Sequence, residues 1–242
     1  MAHGTPDWWG ESPTATVHQV TDMGELAVRL GSPVSYDRRG NVVWFDNFED
    51  GLGKWYLSEV GTGADVVLTG LSAVSGGYSA KLVGGSDGLM SAQLQRIFYA
   101  PVPGKVGLEM SFELSGAATV VELQPAHYDG VNYYQYYVRW VSATSDFEYQ
   151  DSAGAWQDID ANKPLIAASH AWHTMKVVFD TESGEYVRAM LDDEEYSLAG
   201  IAPQSAASAI EPTVRVRIYG YSDAGHNHYV LIDDVILTQN EP

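Results

Sequence analysis

From Val42 onward the sequence runs in short alternating or wholly apolar stretches broken by Gly, Asp, Asn and Pro, and helical signals are almost absent. A strand sends successive side chains to opposite faces, so such alternation marks half-buried strands, and many of them separated by turns specify an all-β fold. The pattern predicts strands over 64–70, 78–84, 89–100, 105–114, 119–125, 131–141, 146–151, 172–180, 185–192, 194–199, 213–221 and 228–239. Asp129-Gly130, Ser183-Gly184 and Pro103-Gly104 supply turn chemistry between them. A dozen strands in about 200 residues exceeds a minimal immunoglobulin-like sandwich and suits a jelly roll of two antiparallel sheets. Residues 164–170 and 202–209 read as single helical turns or crossing loops.

Residues 1–41 differ. TPDWW, ESPT, LGSP and YDRRGN carry turn and extended signals with few core formers. The expected division is an extended N-terminal arm over 1–41, with a short strand or turn at 23–30 and a hairpin through Asp37–Asn41, followed by a sandwich domain over 42–242. Adjacent indoles exposed on an arm favour association, which makes Trp8 and Trp9 the expected docking residues.

Composition narrows the function classes. A hydrophobic content of 45% is ample for a core, and the absence of cysteine removes disulfides and thiolate metal sites. Net charge is −19, from 32 acidic against 13 basic residues. A nucleic-acid binder needs the reverse balance to displace phosphate counterions, so neither nucleic acid nor an anionic membrane is an expected partner. No apolar run approaches the ~18 residues that would span a bilayer. The opening residues lack the basic and apolar regions of a secretory signal, so none is expected.

Aromatic residues are dense in VNYYQYYVRW, residues 131–140. Read as one strand, Tyr134, Tyr136, Val138 and Trp140 share an uncharged face suited to the core. Tyr133, Gln135, Tyr137 and Arg139 share the other. That second face fits three roles: ordinary sheet surface, a protein interface, or a glycan platform on which rings stack against sugars while polar neighbours meet hydroxyls. Trp156, on an expected loop, joins the candidate contacts.

FDNFEDGLGKW (45–55) together with VLIDDVILT (230–238) resembles the boundary strands of jelly-roll carbohydrate-binding modules. YYQYYVRW, FEYQDSAGAWQDI and WHTMKVVFDTESGEYVRAMLDDEEYSL are similar to concanavalin A-like lectin and glucanase sandwiches, a fold that phage virion proteins also use. The resemblance covers roughly residues 44–240 and is specific for fold rather than function. It implies a structural calcium joining the first and last strands, with Asp46, Glu49 and Asp50 in front and Asp233 or Asp234 behind as ligands. Without a metal, the same residues are a solvated turn and a strand edge.

Catalytic motifs are not found. The E-x-D-x-x-E strand of sandwich glucanases has no counterpart, no G-x-S-x-G elbow occurs, and LDDEEY (191–196) reads as a hairpin turn. His226 and His228 lie two apart and His170 and His173 three apart, without an evident third ligand, so surface histidines are expected. The favoured expectation is a non-enzymatic structural or decoration protein of a virus-like particle, of the bacteriophage kind. It would be assembled in the cytoplasm and docked on protein partners through its arm. The alternative is a carbohydrate-binding module that meets a polysaccharide through Tyr133, Gln135, Tyr137, Arg139 and Trp156.

Overall fold

The computed structural model describes residues 37–85, 90–99, 103–116, 119–222 and 228–242. Among these residues lie eighteen strands and no helix. In chain order they are β1 (Asn41–Asp46), β2 (Tyr56–Val60), β3 (Ala64–Thr69), β4 (Ser79–Gly84), β5 (Met90–Tyr99), β6 (Lys105–Leu114), β7 (Thr119–Leu123), β8 (Ala126–Tyr128) and β9 (Asn132–Gln135). They continue as β10 (Val138–Val141), β11 (Asp146–Gln150), β12 (Trp156–Asp160), β13 (Trp172–Asp180), β14 (Glu185–Leu191), β15 (Glu194–Ser197), β16 (Gln204–Ala207), β17 (Thr213–Ser222) and β18 (Tyr229–Gln239).

Two antiparallel sheets make a sandwich. The eight-stranded sheet runs β15-β14-β13-β6-β18-β4-β3, with β1 also paired to β18. In the ten-stranded sheet β17 is the spine. One side of it carries β5 and then β2. On the other side its second half pairs with β7, which leads to β10, β11 and β12, and its first half pairs with β8, which leads to β9 and β16. The sequence of β17, TVRVRIYGYS, shows why it takes this place: every second residue is buried, so Val214, Val216 and Ile218 enter the core while Arg215, Arg217, Tyr219 and Tyr221 face outward.

The central strands of the eight-stranded sheet are buried on both faces. Leu108, Met110 and Phe112 of β6 point into the sandwich, while Glu109 and Glu113 are buried on its far side. That outer face is covered by the chain's own segments, residues 37–40 and the C-terminal Glu241–Pro242. Lys176 of β13 is almost fully buried there. Its Nζ lies 2.9 Å from Asp37, 2.8 Å from Glu241 and 3.7 Å from Glu109. Arg188 of β14 contacts Asp37, Glu241 and Glu195 and donates to the Pro242 carbonyl oxygen at 2.9 Å. Burial pushes the Asp37 carboxyl up, but hydrogen bonds from Arg39 and Lys176 outweigh it and hold the group well below the usual carboxylate range. Gly107 makes the close approach possible, because a Cβ there would come within 3.0 Å of Thr238, Glu241 and Lys176.

Three expectations change. The tyrosine-rich strand is two strands: Tyr136 and Tyr137 break it between β9 and β10. Both are buried, Tyr136 in the core, where it stacks on Phe179 at 4.3 Å, and Tyr137 beside Arg215. Tyr186 braces the break, donating to the Gln150 carbonyl at 2.9 Å and also contacting the Tyr137 carbonyl. Within 202–209, Gln204–Ala207 forms edge strand β16 against β9 rather than a helical turn. The described body also reaches back beyond Val42, since Asp37 is one of its buried ion-pair partners. Residues 1–36, with Trp8 and Trp9, lie outside the described residues, as does His226.

Candidate functional site

The register of the ten-stranded sheet lines up side chains in rows across its outer face. One row runs Asp158, Glu148, Arg139, Glu122, Tyr219, Gln93 and Ser58, each opposite the next on neighbouring strands. Directly opposed residues in a sheet stand close enough for their side chains to interact. Arg139 contacts Glu148 through Nε and lies 3.7 Å from Glu122. Gln124 donates to Glu122, and the Tyr221 hydroxyl reaches the same carboxylate at 3.3 Å. Burial raises the pKa of Glu122 despite these stabilising contacts from Gln124, Arg139 and Tyr221. Tyr219 stacks on Tyr221, with ring centroids 5.6 Å apart.

A second row lies beside the first. Gln150 pairs with Trp156 and donates its backbone N–H to the Tyr137 carbonyl, and Gln124 and Arg217 exchange backbone hydrogen bonds. Arg217 then pairs with Gln95, and Gln95 with Tyr56. Arg217 Nε donates to Gln95 Oε1 at 2.8 Å. A groove lined by Lys54, Tyr56, Gln95, Arg96 and Ile97 continues this row onto the sheet edge. The next row brings Gln204, Gln135, Ala126, Arg215 and Ile97 into line, and Arg215 sits over the Tyr128 ring at 5.3 Å. Tyr128 in turn stacks on Tyr133 at 5.6 Å.

The sequence-derived contacts therefore fall on one face, with two corrections. Tyr133, Gln135 and Arg139 are half-buried on it, as alternation predicts. Tyr137 is not available: it is only 7% exposed, and burial raises its hydroxyl pKa to about 12 although Arg215 and Arg217 oppose the shift. Trp156 opens edge strand β12 rather than sitting in a loop, and Arg139 lies over its ring at 4.0 Å. Sequence reasoning missed Glu122, Glu148, Arg215, Arg217 and Gln95. The alternation of β17 placed its two arginines on one face, but only the sheet register reveals that this face is shared with β10.

Each of the five carboxylates expected to hold calcium has partners within the chain. Asp46 is buried and accepts from Trp55 Nε1 at 2.8 Å and Lys54 Nζ at 2.9 Å; Lys54 also binds Asp50. Glu49 accepts the backbone N–H groups of Gly77 and Tyr78. Asp233 accepts those of Val74 and Ser75, and burial together with the neighbouring Asp234 charge pushes its carboxyl up to about 7. Asp234 accepts from the Ser75 hydroxyl at 2.7 Å. Among the described residues one acidic group draws together, Asp146, Glu148 and Asp158, with ligand atoms within 4.8 Å of one another. Glu148 there is already engaged by Arg139.

One histidine differs from expectation, while His170 is exposed as expected. His173 is buried in β13, paired with Asp192 at 2.8 Å and the Ile166 carbonyl at 3.1 Å, and so fixes the 161–171 loop. Ser72, Glu113 and His170 meet closely, but the Ser72 hydroxyl gives its one proton to Glu113 at 2.6 Å and receives Trp172 Nε1 at 3.0 Å.

No protein-family model matches the chain, and no curated protein matches it. Solved structures do. The carbohydrate esterase of the Shiga toxin-encoding bacteriophage phi24B superposes with a TM-score of 0.55 at 15% identity, over 82% of this chain and 98% of its own. A cellulose-induced protein, Cip1, gives 0.54 at 17% identity over 81% and 97%. The endo-β-1,4-glucuronan lyase of the fungus Trichoderma reesei gives 0.54 at 12% identity over 82% and 95%. At these identities the likeness establishes the fold, a jelly-roll sandwich of the concanavalin A-like kind.

Proposed function

We propose that the protein is a carbohydrate-recognition domain that holds a polysaccharide chain across the outer face of its ten-stranded sheet. What carries this reading is the outer face of the sheet, where Tyr219 of the first row and Trp156 and Tyr56 of the second, flanked by Tyr221 and Tyr133, stand among Gln, Glu and Arg side chains. Rings offer apolar faces to a pyranose, and the amides, carboxylates and guanidinium groups between them exchange hydrogen bonds with hydroxyls. The rows cross seven strands, so the face accommodates several sugars of an extended chain rather than one residue in a pit. Such a surface binds without needing bond cleavage, and the proposal is binding rather than turnover.

Affinity electrophoresis against plant and bacterial polysaccharides tests it. Retardation is expected in at least one gel, and Trp156→Ala is expected to weaken it by about tenfold through loss of one stacking surface. No retardation in any gel would overturn the reading. Release of reducing or unsaturated ends during incubation would replace binding with catalysis. The particle role read from the sequence rests on residues 1–41, and its support is the aromatic pair Trp8–Trp9. Deleting residues 1–36 and measuring assembly by sedimentation tests that separately.

A further inference from the structure

We propose that the glycan is acidic, and that its anionic group sits on Arg215 and Arg217 of β17. This rests on the reading of the face as a polysaccharide site and names the substrate class. The starting observation is a charge mismatch. The chain holds 32 acidic residues against 13 basic ones, so an arginine without a carboxylate beside it is unexpected. Arg39, Arg139 and Arg188 each have at least one. Arg215 and Arg217 have none among the described residues. Their contacts are the Tyr128 ring and Tyr137 hydroxyl for Arg215, and Gln95 for Arg217.

Both arginines stand on one face, two residues apart on one strand, and are half-buried. Arg215 Nε is enclosed yet has no hydrogen-bond partner. That nitrogen is closed off, so an anion would meet Arg215 at the accessible part of its half-buried guanidinium. The planar guanidinium fork matches such anions in a charge-assisted, two-point contact. Gln95 spends its carbonyl oxygen orienting Arg217, which leaves the outer guanidinium nitrogens to a ligand.

The face is thus polarised. Glu122, Glu148 and Asp158 lie toward β12, and the unpaired arginines lie toward β5. An acidic sugar fits the arginine end, and a neutral neighbour fits the carboxylate end. The net charge of −19 repels a polyanion at long range, so attraction must come from direct contact.

The test titrates the whole protein with oligogalacturonate, its carboxyl-reduced counterpart, a sulfated oligosaccharide and a neutral glucan. At least one acidic ligand is expected to bind about tenfold more tightly than its neutral counterpart. Arg215→Gln and Arg217→Gln should each erase most of that preference, while Lys81→Gln on the opposite sheet leaves it intact. Carboxyl reduction changes only the ligand, so the outcome stands even where a variant folds poorly. Equal affinity for acidic and neutral chains would overturn this inference and leave glycan recognition standing. A preference that survives both glutamine variants would also overturn it. Binding to none of the four, alongside failure in the polysaccharide gels, would remove both.

Discussion

The two sheets each place arginines on their outer faces and treat them in opposite ways. On the eight-stranded sheet, Arg188 and Lys176 are buried beneath Asp37 and Glu241, so cation and carboxylate are matched and sealed by residues 37–40 and 241–242. On the ten-stranded sheet, Arg215 and Arg217 stand half-buried with rings and an amide but no carboxylate. A buried charge without its partner is destabilising, so a closed network signals structure, and an open one signals that something outside the chain completes it. Charge on a sheet face therefore says little until its partners are counted.

That contrast can be broken most directly at Asp37. Asp37→Asn removes a carboxylate shared by Lys176, Arg188 and Arg39, and is expected to cost about 3–5 kcal/mol in urea unfolding. A cost below about 1 kcal/mol would show that the network is not closed. The same residue predicts a pH effect. Its carboxyl is held below the normal range, so the stability it contributes is present above about pH 4 and lost as pH falls through the depressed value. The gap in melting temperature between wild type and Asp37→Asn should therefore hold from neutral pH to about pH 4 and narrow only below it.

Arg139 lies between the two cases, since it pairs with Glu122 and Glu148 yet stacks on Trp156 at the proposed site. Arg139→Gln should weaken polysaccharide binding by about tenfold, read by calorimetry, and cost about 1 kcal/mol or less of stability. A larger stability loss with unchanged binding would move Arg139 into the structural class. The smallest expected effect is at Tyr221. Tyr221→Phe removes one long hydrogen bond to Glu122, and should cost about 0.5 kcal/mol while leaving binding within about twofold.

Much of the sandwich was legible because alternation reports burial directly. The strand expected over 172–180 is β13 residue for residue, and 105–114 is β6. Short edge strands such as β2, β12 and β16 were not, since four or five residues with half-buried or exposed faces leave little periodic signal. The break at Tyr136–Tyr137 was hidden because every residue from Tyr133 to Val138 looks equally at home in a strand. Arg139 and Tyr133 were found by parity along one strand, whereas Glu122, Arg215 and Arg217 belong to strands about twenty to eighty residues away.

The sequence by itself determined the all-β class, most strand positions and which residues of β17 turn outward, because a period of two is a local property of the chain. Tertiary structure alone decided which strands lie side by side, and so which outward residues share a face and which charges find partners. Hydrogen-bonded register, set by packing of the core between the sheets, carries that information, and no single strand contains both partners of a row.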